Sequence, residues 1–366
     1  MFYRFVITIV ALFVLQVVEA NDAELPVLRV LNWSEYIAVD ESMDPESPIE
    51  DRAFCLSEFS KKFGCQIEYY EYEETIEAYS RIRKNAGFYD VVIASMGEIN
   101  RMQKGGALDR LDKTKILNYR YVSLFYDSNK ADEEVWNFAM PYLYGTTGIA
   151  YRSDLVANPV ISWKQLFDPD ELLRGKISVM NDSQVMFGIA SVYKGKDPNS
   201  LKPSDYRKLT QEFRKLKEGG YLYDVSSNVE ELSTCLLNGE LAMAVMYSGD
   251  ALAVSSVNPN IKYVVPEEGS EIYVDSLAVL DDSSQKELAY KFVNFMLDPE
   301  VNARNSIELL FPTMNLAALS VVERERPDLL SNADIYPLPD TLLSLKEFNA
   351  YSVVQEQYWN RFINED

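Results

Sequence analysis

The sequence predicts an α/β fold with two doubly wound, mainly parallel sheets, each flanked by helices. In the first third of the chain, short apolar or alternating runs typical of strands take turns with amphipathic runs typical of helices. Beyond residue 151 the same alternation resumes, and three extended segments lie where the chain would pass from one part to the other. Because this order favours sheets with helices on both faces, we expect two such units joined by crossing segments.

The first unit opens with an alternating strand that starts at Val27 and ends in polar and aromatic residues at 33–36. Gly64 is a typical helix stop, and the continuous apolar run at 89–94 fits a strand buried on both faces. In chain order we predict the opening strand, a surface loop at 40–52, a helix up to 63, a strand at 65–72, a helix at 75–84, a strand at 89–94 and a turn at 95–98.

The second unit repeats this order with new apolar runs. Ser204 and the Gly219-Gly220 pair look like the start and the stop of an amphipathic helix. In chain order we predict a first crossing at 141–151, a strand at 176–180, a helix at 183–191, the helix between Ser204 and Gly219, a strand at 242–246, extended segments at 263–266 and 272–280, a helix through 288–296, a third crossing at 311–315 and a mostly helical tail.

The N-terminus has the pattern of a secretory signal. A short segment with Arg4 precedes an apolar run at 5–18, and the small residue Ala20 then leads into a polar stretch. We therefore predict a cleavable signal peptide at 1–20 and a mature protein that begins near Asn21 and lies outside the cytoplasm. No other stretch is apolar enough to span a bilayer, so the mature chain is not expected to be embedded in a membrane.

The composition excludes several classes of function. The chain has 366 residues, 57 of them acidic and 35 basic, and the net charge of -22 argues against nucleic acid as a partner and favours cations. It contains no His, which excludes Ser-His-Asp triads and His-ligated zinc. Three cysteines are too few and too scattered for a metal site, and nucleotide-binding and nucleophile-elbow motifs are lacking. We expect no catalytic residues, no metal and no cofactor.

The cysteines leave two alternatives open. Cys55 and Cys65 flank a predicted helix and could form a disulfide in an oxidising compartment, which would leave Cys235 free. Otherwise all three are small buried hydrophobic residues.

The candidate site residues share one feature, which is their place at or near a predicted strand end. In open α/β sheets, ligands bind outside the carboxyl ends of the strands. Aromatic faces attract ammonium groups by about 0.5 to 2 kcal/mol each, and carboxylates pair with the charge. The set therefore suits a slender organic cation. It consists of Trp33, Ser34, Glu35, Tyr36, Ser95, Asp182, Tyr247, Asp250, Tyr273 and Asp275.

Structural interpretations compete with several of these assignments. Asp182 and Asp250 precede predicted helices and could be N-caps, the commoner role of Asp there. Tyr273 could be a half-buried strand residue, and the aromatic residues at 33–36 could belong to the core. Asp275 is harder to explain structurally, because an acid inside an apolar strand is costly without a partner.

A series of short motifs resembles the bacterial spermidine/putrescine-binding proteins, the periplasmic receptors of polyamine importers of the ATP-binding-cassette class. The match runs in order from Val27 to the C-terminus. The motifs are Asn32-Trp33-Ser34-Glu35-Tyr36, Tyr89-Asp90-Val91-Val92, Pro141-Tyr142 with Gly145-Thr146, Ser248-Gly249-Asp250-Ala251, Asp275-Ser276-Leu277-Ala278 and Pro312-Thr313-Met314-Asn315.

The resemblance implies a two-lobed, type II-like periplasmic-binding-protein fold that holds a polyamine in the cleft and delivers it to a membrane permease. Lobe 1 would comprise 21–140 plus 275–311, and lobe 2 would comprise 141–274 plus 312–366. We expect a monomer. The resemblance also implies roles for individual residues, namely an aromatic box of Trp33, Tyr36, Tyr247 and Tyr273 with Ser95 beside it, and ammonium partners at Asp182 and Asp275.

Two departures from the family pattern bear on the ligand. Gly97 stands where an aromatic residue is usual, and Val185 stands where a second acid near Asp182 is common. Because an unpaired buried ammonium is expensive, either Glu35 or Asp250 replaces that acid or the ligand differs. The alternatives are a receptor of the same fold for an amino acid or a sugar, a secreted glycosidase that uses two of the acids, and a surface adhesin.

Overall fold

The computed structural model describes residues 25–73, 77–122, 134–333, 335–337 and 353–364. The predicted signal peptide at 1–20, the start of the helix predicted at 75–84 and part of the C-terminal tail lie outside the described residues. Within these ranges, no helix is both long enough and apolar enough to cross a bilayer.

The described strands form one sheet. They are β1 Val27–Trp33, β2 Gln66–Tyr72, β3 Val91–Ser95, β4 Ala139–Arg152, β5 Ile177–Val179, β6 Leu222–Val225, β7 Met243–Tyr247, β8 Ile261–Val264 and β9 Ile272–Val279. Their order is β2-β1-β3-β9-β4-β7-β5-β6, with β8 paired to β4 at the side. We call β1, β2, β3, β9 and the start of β4 the first half of the sheet, and β5 to β8 with the end of β4 the second half.

The sheet is mixed, because the two strands that connect its halves run against their neighbours. β1 is parallel to β2 and β3, and β5 is parallel to β6 and β7. β4 and β9 are antiparallel to each other. β9 is also antiparallel to β3, and β4 is also antiparallel to β7. The first part of β4 pairs with β9 up to Thr146, and the second part of β4 pairs with β7 from Thr147 onward. The crossing predicted at 141–151 is therefore one long strand shared by both halves.

Helices flank both halves of the sheet. They are α1 Ile49–Arg52, α2 Phe54–Phe63, α3 Glu77–Lys84, α4 Met96–Lys104, α5 Lys164–Phe167, α6 Ser183–Tyr193, α7 Pro203–Glu218, α8 Val229–Asn238, α9 Ser248–Val257, α10 Lys286–Met296, α11 Pro299–Leu309, α12 Leu316–Glu325, α13 Pro327–Leu330 and α14 Val353–Asn364. Neighbouring strand residues point into opposite cores, as the pleat requires. Val30 lies in one cluster of the first half and Leu31 in the other. Val245 and Met246 divide in the same way in the second half.

Three local predictions are corrected. The loop predicted at 40–52 contains the short helix α1. The turn predicted at 95–98 is the start of α4, since Ser95 is the N-cap and the helix follows at once. Ser204 lies inside α7, which begins at Pro203 because the fixed φ of proline suits the first helical position.

Helix α11 is missing from the sequence-based prediction. Pro299 suggests a helix stop, but here it is the first residue of α11, and Asp298 caps this helix by accepting the N–H of Glu300. A proline just after an acidic residue is thus compatible with both a stop and a start, and only the packing of the following residues decides between them.

The three cysteines are free and buried, so of the two alternatives left open the one with small buried hydrophobic residues is confirmed and the disulfide between Cys55 and Cys65 is not formed. Cys55 lies on the buried face of α2, and burial raises the pKa of its thiol to about 12.

Candidate functional site

Two strands run directly into a helix and a third is followed by one after a short gap, and the candidate residues gather at these strand ends. β3 runs into α4, β7 runs into α9, and β5 is followed within a few residues by α6. The N-cap residues of these three helices are Ser95, Tyr247 and Asp182. Each of them was singled out from the sequence as a strand-end residue. Ser95 pairs with Asp275 on β9 and Tyr247 pairs with Thr147 on β4. Because β3 and β7 run in opposite directions, their carboxyl ends face each other from the two halves of the sheet.

Asp275 lies at the centre of the site. It sits on β9 directly opposite Ser95 of β3, and only 5% of its surface is exposed. The indole N–H of Trp33 donates a hydrogen bond to its Oδ1 at 3.0 Å. Burial raises the pKa of the Asp275 carboxyl to about 7, although Tyr36 and Trp33 oppose the rise. The ionised form of a carboxyl group buried in this way is strongly stabilised by a cationic partner.

Aromatic rings surround this carboxyl group. The Tyr36 ring meets Phe311 edge to face at 5.2 Å and Tyr142 at 5.8 Å between ring centroids. Tyr273 contacts Tyr247 in the same manner at 4.8 Å. Such edge-to-face packing leaves ring faces available for other contacts.

Several polar atoms beside Asp275 have no hydrogen-bond partner among the described residues. They include the buried hydroxyl groups of Tyr142 and Tyr273. The Tyr36 hydroxyl lies close to Asp275, and hydrogen bonding between the two groups opposes the rise in the Asp275 pKa. Burial is the main reason that the pKa of each phenol is raised, and Asp275 raises each of them further. A phenol oxygen can accept as well as donate, so these groups suit a ligand with several N–H donors.

Glu35 and Asp250 form a second acidic pair, with one residue from each half of the sheet. Asp250 is the third residue of α9 and is half-buried. Burial raises the pKa of its carboxyl to about 7, and the charge of Glu35 adds to the rise. Glu35 is exposed and has a left-handed backbone with φ of 57°, and its N–H donates to Glu71 Oε1 at 3.1 Å. Two acids that oppose each other across the halves favour a bridging cation.

The N-cap interpretation is confirmed for Asp182 but not for Asp250. The Oδ1 of Asp182 accepts the N–H groups of Gln184 at 2.8 Å and Val185 at 3.0 Å. Burial raises the pKa of Asp182 despite these bonds. Asp250 makes no cap, because the N-cap of its helix is Tyr247 and no side chain accepts a hydrogen bond there.

We expect Asp182→Asn to preserve the ligand-free fold and Asp182→Ala to destabilise it by about 1 kcal/mol, since Asn caps helices as well as Asp does whereas Ala cannot. Chemical denaturation of both variants measures this difference. Equal stability of the two would contradict the cap. Ligand titration of Asp182→Asn then tests the charge alone, and we expect weaker binding than in the unchanged protein.

The charges near Tyr247 place several acids around one ring. Burial raises the pKa of the Tyr247 phenol, and carboxyl groups raise it further. These carboxyl groups belong to Asp182, Glu271, Asp275 and Asp250. The structure therefore brings together acids that lie far apart in the sequence. Ser34 directly follows β1, where its N–H donates to the backbone carbonyl of Tyr72 at 2.9 Å.

Sequence reasoning missed Tyr142, Glu271 and Phe311. Tyr142 was named only within a motif of the resemblance and Phe311 only within a crossing segment, yet both rings contact the Tyr36 ring. Glu271 is 6% exposed and accepts a hydrogen bond from Thr147 Oγ1 at 2.7 Å. Its place just before β9 was the available signal, since a buried acid beside an apolar strand needs a partner.

Gly97 leaves space between the two halves of the sheet. A Cβ atom at this position would lie 3.8 Å from Nε2 of Gln184, which is ordinary van der Waals contact. The start of α4 therefore faces the start of α6.

Comparison with known proteins connects this site to one family. The chain matches the profile of the family described as "Bacterial extracellular solute-binding protein" over residues 56–325. It is 29% identical over 348 residues to the putrescine-binding periplasmic protein SpuD of Pseudomonas aeruginosa strain UCBPP-PA14, and the alignment covers 90% of this chain and 88% of the relative. It is 28% identical over 340 residues to the putrescine-binding periplasmic protein PotF of Escherichia coli K12, with 88% and 86% covered.

A solved structure is similar over nearly the whole chain. The spermidine/putrescine transporter substrate-binding protein PotD of Streptococcus pneumoniae, solved with calcium and HEPES, superimposes with a TM-score of 0.76 at 24% identity. The superposition covers 92% of this chain and 97% of the other. This similarity confirms the predicted fold class.

Proposed function

The chain belongs to the bacterial extracellular solute-binding proteins, and from this premise we propose that it captures a polyamine such as putrescine or spermidine between the two halves of its sheet. Members of this family are receptors, so the chain is a binding protein and not an enzyme. The relatives named above are described as periplasmic, and we propose the same location for this protein.

The observation that carries the proposal is the buried, uncompensated acid at Asp275. Its carboxyl group has an indole donor on one oxygen and aromatic rings around it, and within the described part of the chain no basic residue is among the groups that shift its pKa. An ammonium group would supply the missing charge and donate to the neighbouring phenol oxygens. The methylene chain of a polyamine would pack on the ring faces of Trp33 and Tyr247.

We propose that Glu35 and Asp250 bind a second ammonium group. Val185 stands where the resemblance implies a second acid near Asp182, so another acid is needed for a ligand with two charges. Asp250 and Glu35 interact electrostatically and come from opposite halves of the sheet. A cation between them would relieve their repulsion and would hold the halves together.

Closure around the ligand then follows from contacts made to both halves at once. We propose lobes with the bounds 21–140 plus 275–311 and 141–274 plus 312–366, which turn about the crossing segments. The closed form would deliver its ligand to the membrane permease of an ABC importer. We also propose that the receptor acts as a monomer.

Calorimetric titration of the ligand-free protein with putrescine, spermidine and spermine tests the proposal. We expect saturable heat with at least one of them, and much weaker binding of butylamine, which has a single ammonium group. Absence of heat with all three polyamines would refute polyamine binding.

Gly97 and Val185 favour a second candidate, a receptor of the same fold for a different solute. Thermal shift with amines, amino acids, sugars and organic acids separates the two. Stabilisation by a sugar or an anion, without stabilisation by any amine, would support this candidate instead of the first.

A further inference from the structure

The ring of Phe311 occupies the space where a side chain at Gly249 would begin. A Cβ atom built on Gly249 would lie 2.4, 2.6 and 2.7 Å from Cζ, Cε2 and Cε1 of Phe311. These separations are far below van der Waals contact. Gly249 is the second residue of α9, where ordinary helical backbone does not require glycine. The glycine is therefore needed for space and not for conformation.

Phe311 is anchored to the first half of the sheet. Its ring packs in the core of that half with Tyr36 at 5.2 Å and Tyr273 at 6.3 Å between centroids. Its carbonyl accepts the hydroxyl of Ser306 at 2.6 Å. The carbonyl of Pro312, the next residue, accepts the N–H of Tyr144 on β4 at 2.9 Å. These bonds fix the backbone on both sides, so the ring is a stiff surface.

Gly249 belongs to the opposite side of the site. Helix α9 packs on β7 and β8 in the second half of the sheet. Tyr247 and Asp250 lie on either side of Gly249 along the chain, one at the end of β7 and the other in the first turn of α9. Any shift of α9 relative to Phe311 therefore moves both side chains relative to Asp275.

We infer that Gly249 is a positioning residue of the ligand site. Because Gly249 has no side chain, α9 packs directly against the ring of Phe311. This contact determines how close Asp250 and Tyr247 lie to Asp275 on β9. For the ligand readout, the inference rests on the proposed polyamine binding. The role is geometric, since Gly249 itself offers no side chain to a ligand.

Gly249→Ala tests the inference. Alanine has the higher helix propensity, so α9 itself is not weakened. We expect at least tenfold weaker binding of the polyamine that titrates best with the unchanged protein. Phe311→Leu added to this variant should recover most of the affinity, because leucine lacks the Cε and Cζ atoms that crowd position 249.

Ser256→Ala is the control in the same helix. Ser256 is exposed near the C-terminal end of α9, and its hydroxyl donates to the carbonyl of Ala253 at 2.6 Å. We expect its affinity to stay within about twofold of the unchanged protein, which would assign the loss in Gly249→Ala to crowding against Phe311 and not to a general change in α9.

Hydrogen exchange of the ligand-free proteins keeps the test independent of the ligand. We expect faster amide exchange in the first turn of α9 in Gly249→Ala, and exchange near that of the unchanged protein in the double variant with Phe311→Leu. Unchanged exchange in Gly249→Ala would overturn the inference, and so would a loss that Phe311→Leu does not recover. If the unchanged protein binds no polyamine, the proposed function is refuted. The exchange measurement still tests whether Gly249 positions α9, because it needs no ligand.

Discussion

Asp275→Asn should weaken polyamine binding by about 2 to 5 kcal/mol, which is roughly a thirtyfold to several-thousandfold rise in the dissociation constant. The amide oxygen still accepts the indole N–H of Trp33, so the shape of the site and its hydrogen bond at 3.0 Å are retained. Only the negative charge is lost. Calorimetric titration of the variant measures the change directly.

The same substitution should not destabilise the ligand-free protein. Burial raises the pKa of Asp275 to about 7, which means that the ionised form is disfavoured in the folded state. A neutral amide avoids this cost, so at pH 7.5 the melting temperature should stay constant or rise. Lost affinity together with retained stability separates a ligand partner from a structural acid.

Asp90→Asn is the matched control. Asp90 is also buried and lies just before β3, at the opposite end of that strand from Ser95. Its carboxylate accepts the N–H of Arg29 at 2.8 Å and the hydroxyl of Ser283 at 2.6 Å. We expect this variant to lose stability and to keep its affinity. If Asp275→Asn binds polyamines as tightly as the unchanged protein, Asp275 is not a ligand partner.

The parts of the site that sequence could predict are those with a local signature. Asp275 stands out because an acid in an apolar strand is costly anywhere, whatever surrounds it. Asp182 has the local pattern of a cap, and the structure confirms that role. The α/β order follows from periodicity, which depends only on neighbours along the chain.

The pairings across the site depend on packing between distant segments. Trp33 and Asp275 are 242 residues apart, and the residues around either of them do not indicate that the two side chains are in contact. The contact between Gly249 and Phe311 is of the same kind, because it depends on how α9 and a crossing segment pack. The sequence predicted mainly parallel strands, but the antiparallel direction of β4 and β9 has no local signature, since alternation is identical in parallel and antiparallel strands. The mixed sheet therefore emerges only from the fold.

Acidification from pH 7.5 to pH 5.5 should weaken polyamine binding strongly. The carboxyl groups of Asp275 and Asp250 each have a pKa raised to about 7, mainly by burial. An ammonium group pairs with the ionised form, and amines of the lysine type stay charged throughout this range. With a pKa of 7 the ionised fraction falls from about 76% to about 3%, so each carboxyl contributes roughly a 25-fold loss of affinity.

The stability of the ligand-free protein should change in the opposite direction. A carboxyl whose pKa is higher in the folded than in the unfolded state binds its proton more tightly when folded, so stability falls as the pH rises from about 4 through about 7. Carboxyl groups with a lowered pKa, such as Asp112 and Asp154, lose their contribution only at lower pH. Between pH 7.5 and 5.5 the melting temperature should therefore rise while affinity falls.

Two variants assign this pH dependence to its carboxyl groups. Asp275→Asn removes one of the two titrations, so its remaining affinity should depend less steeply on pH. Glu35→Gln removes the charge that raises the pKa of Asp250, and the midpoint of the remaining titration should move to lower pH. Titrations at several pH values measure both changes. An affinity that is constant from pH 5.5 to 7.5 would contradict a ligand held by these two acids, because no cation could pair with them without displacing their protons.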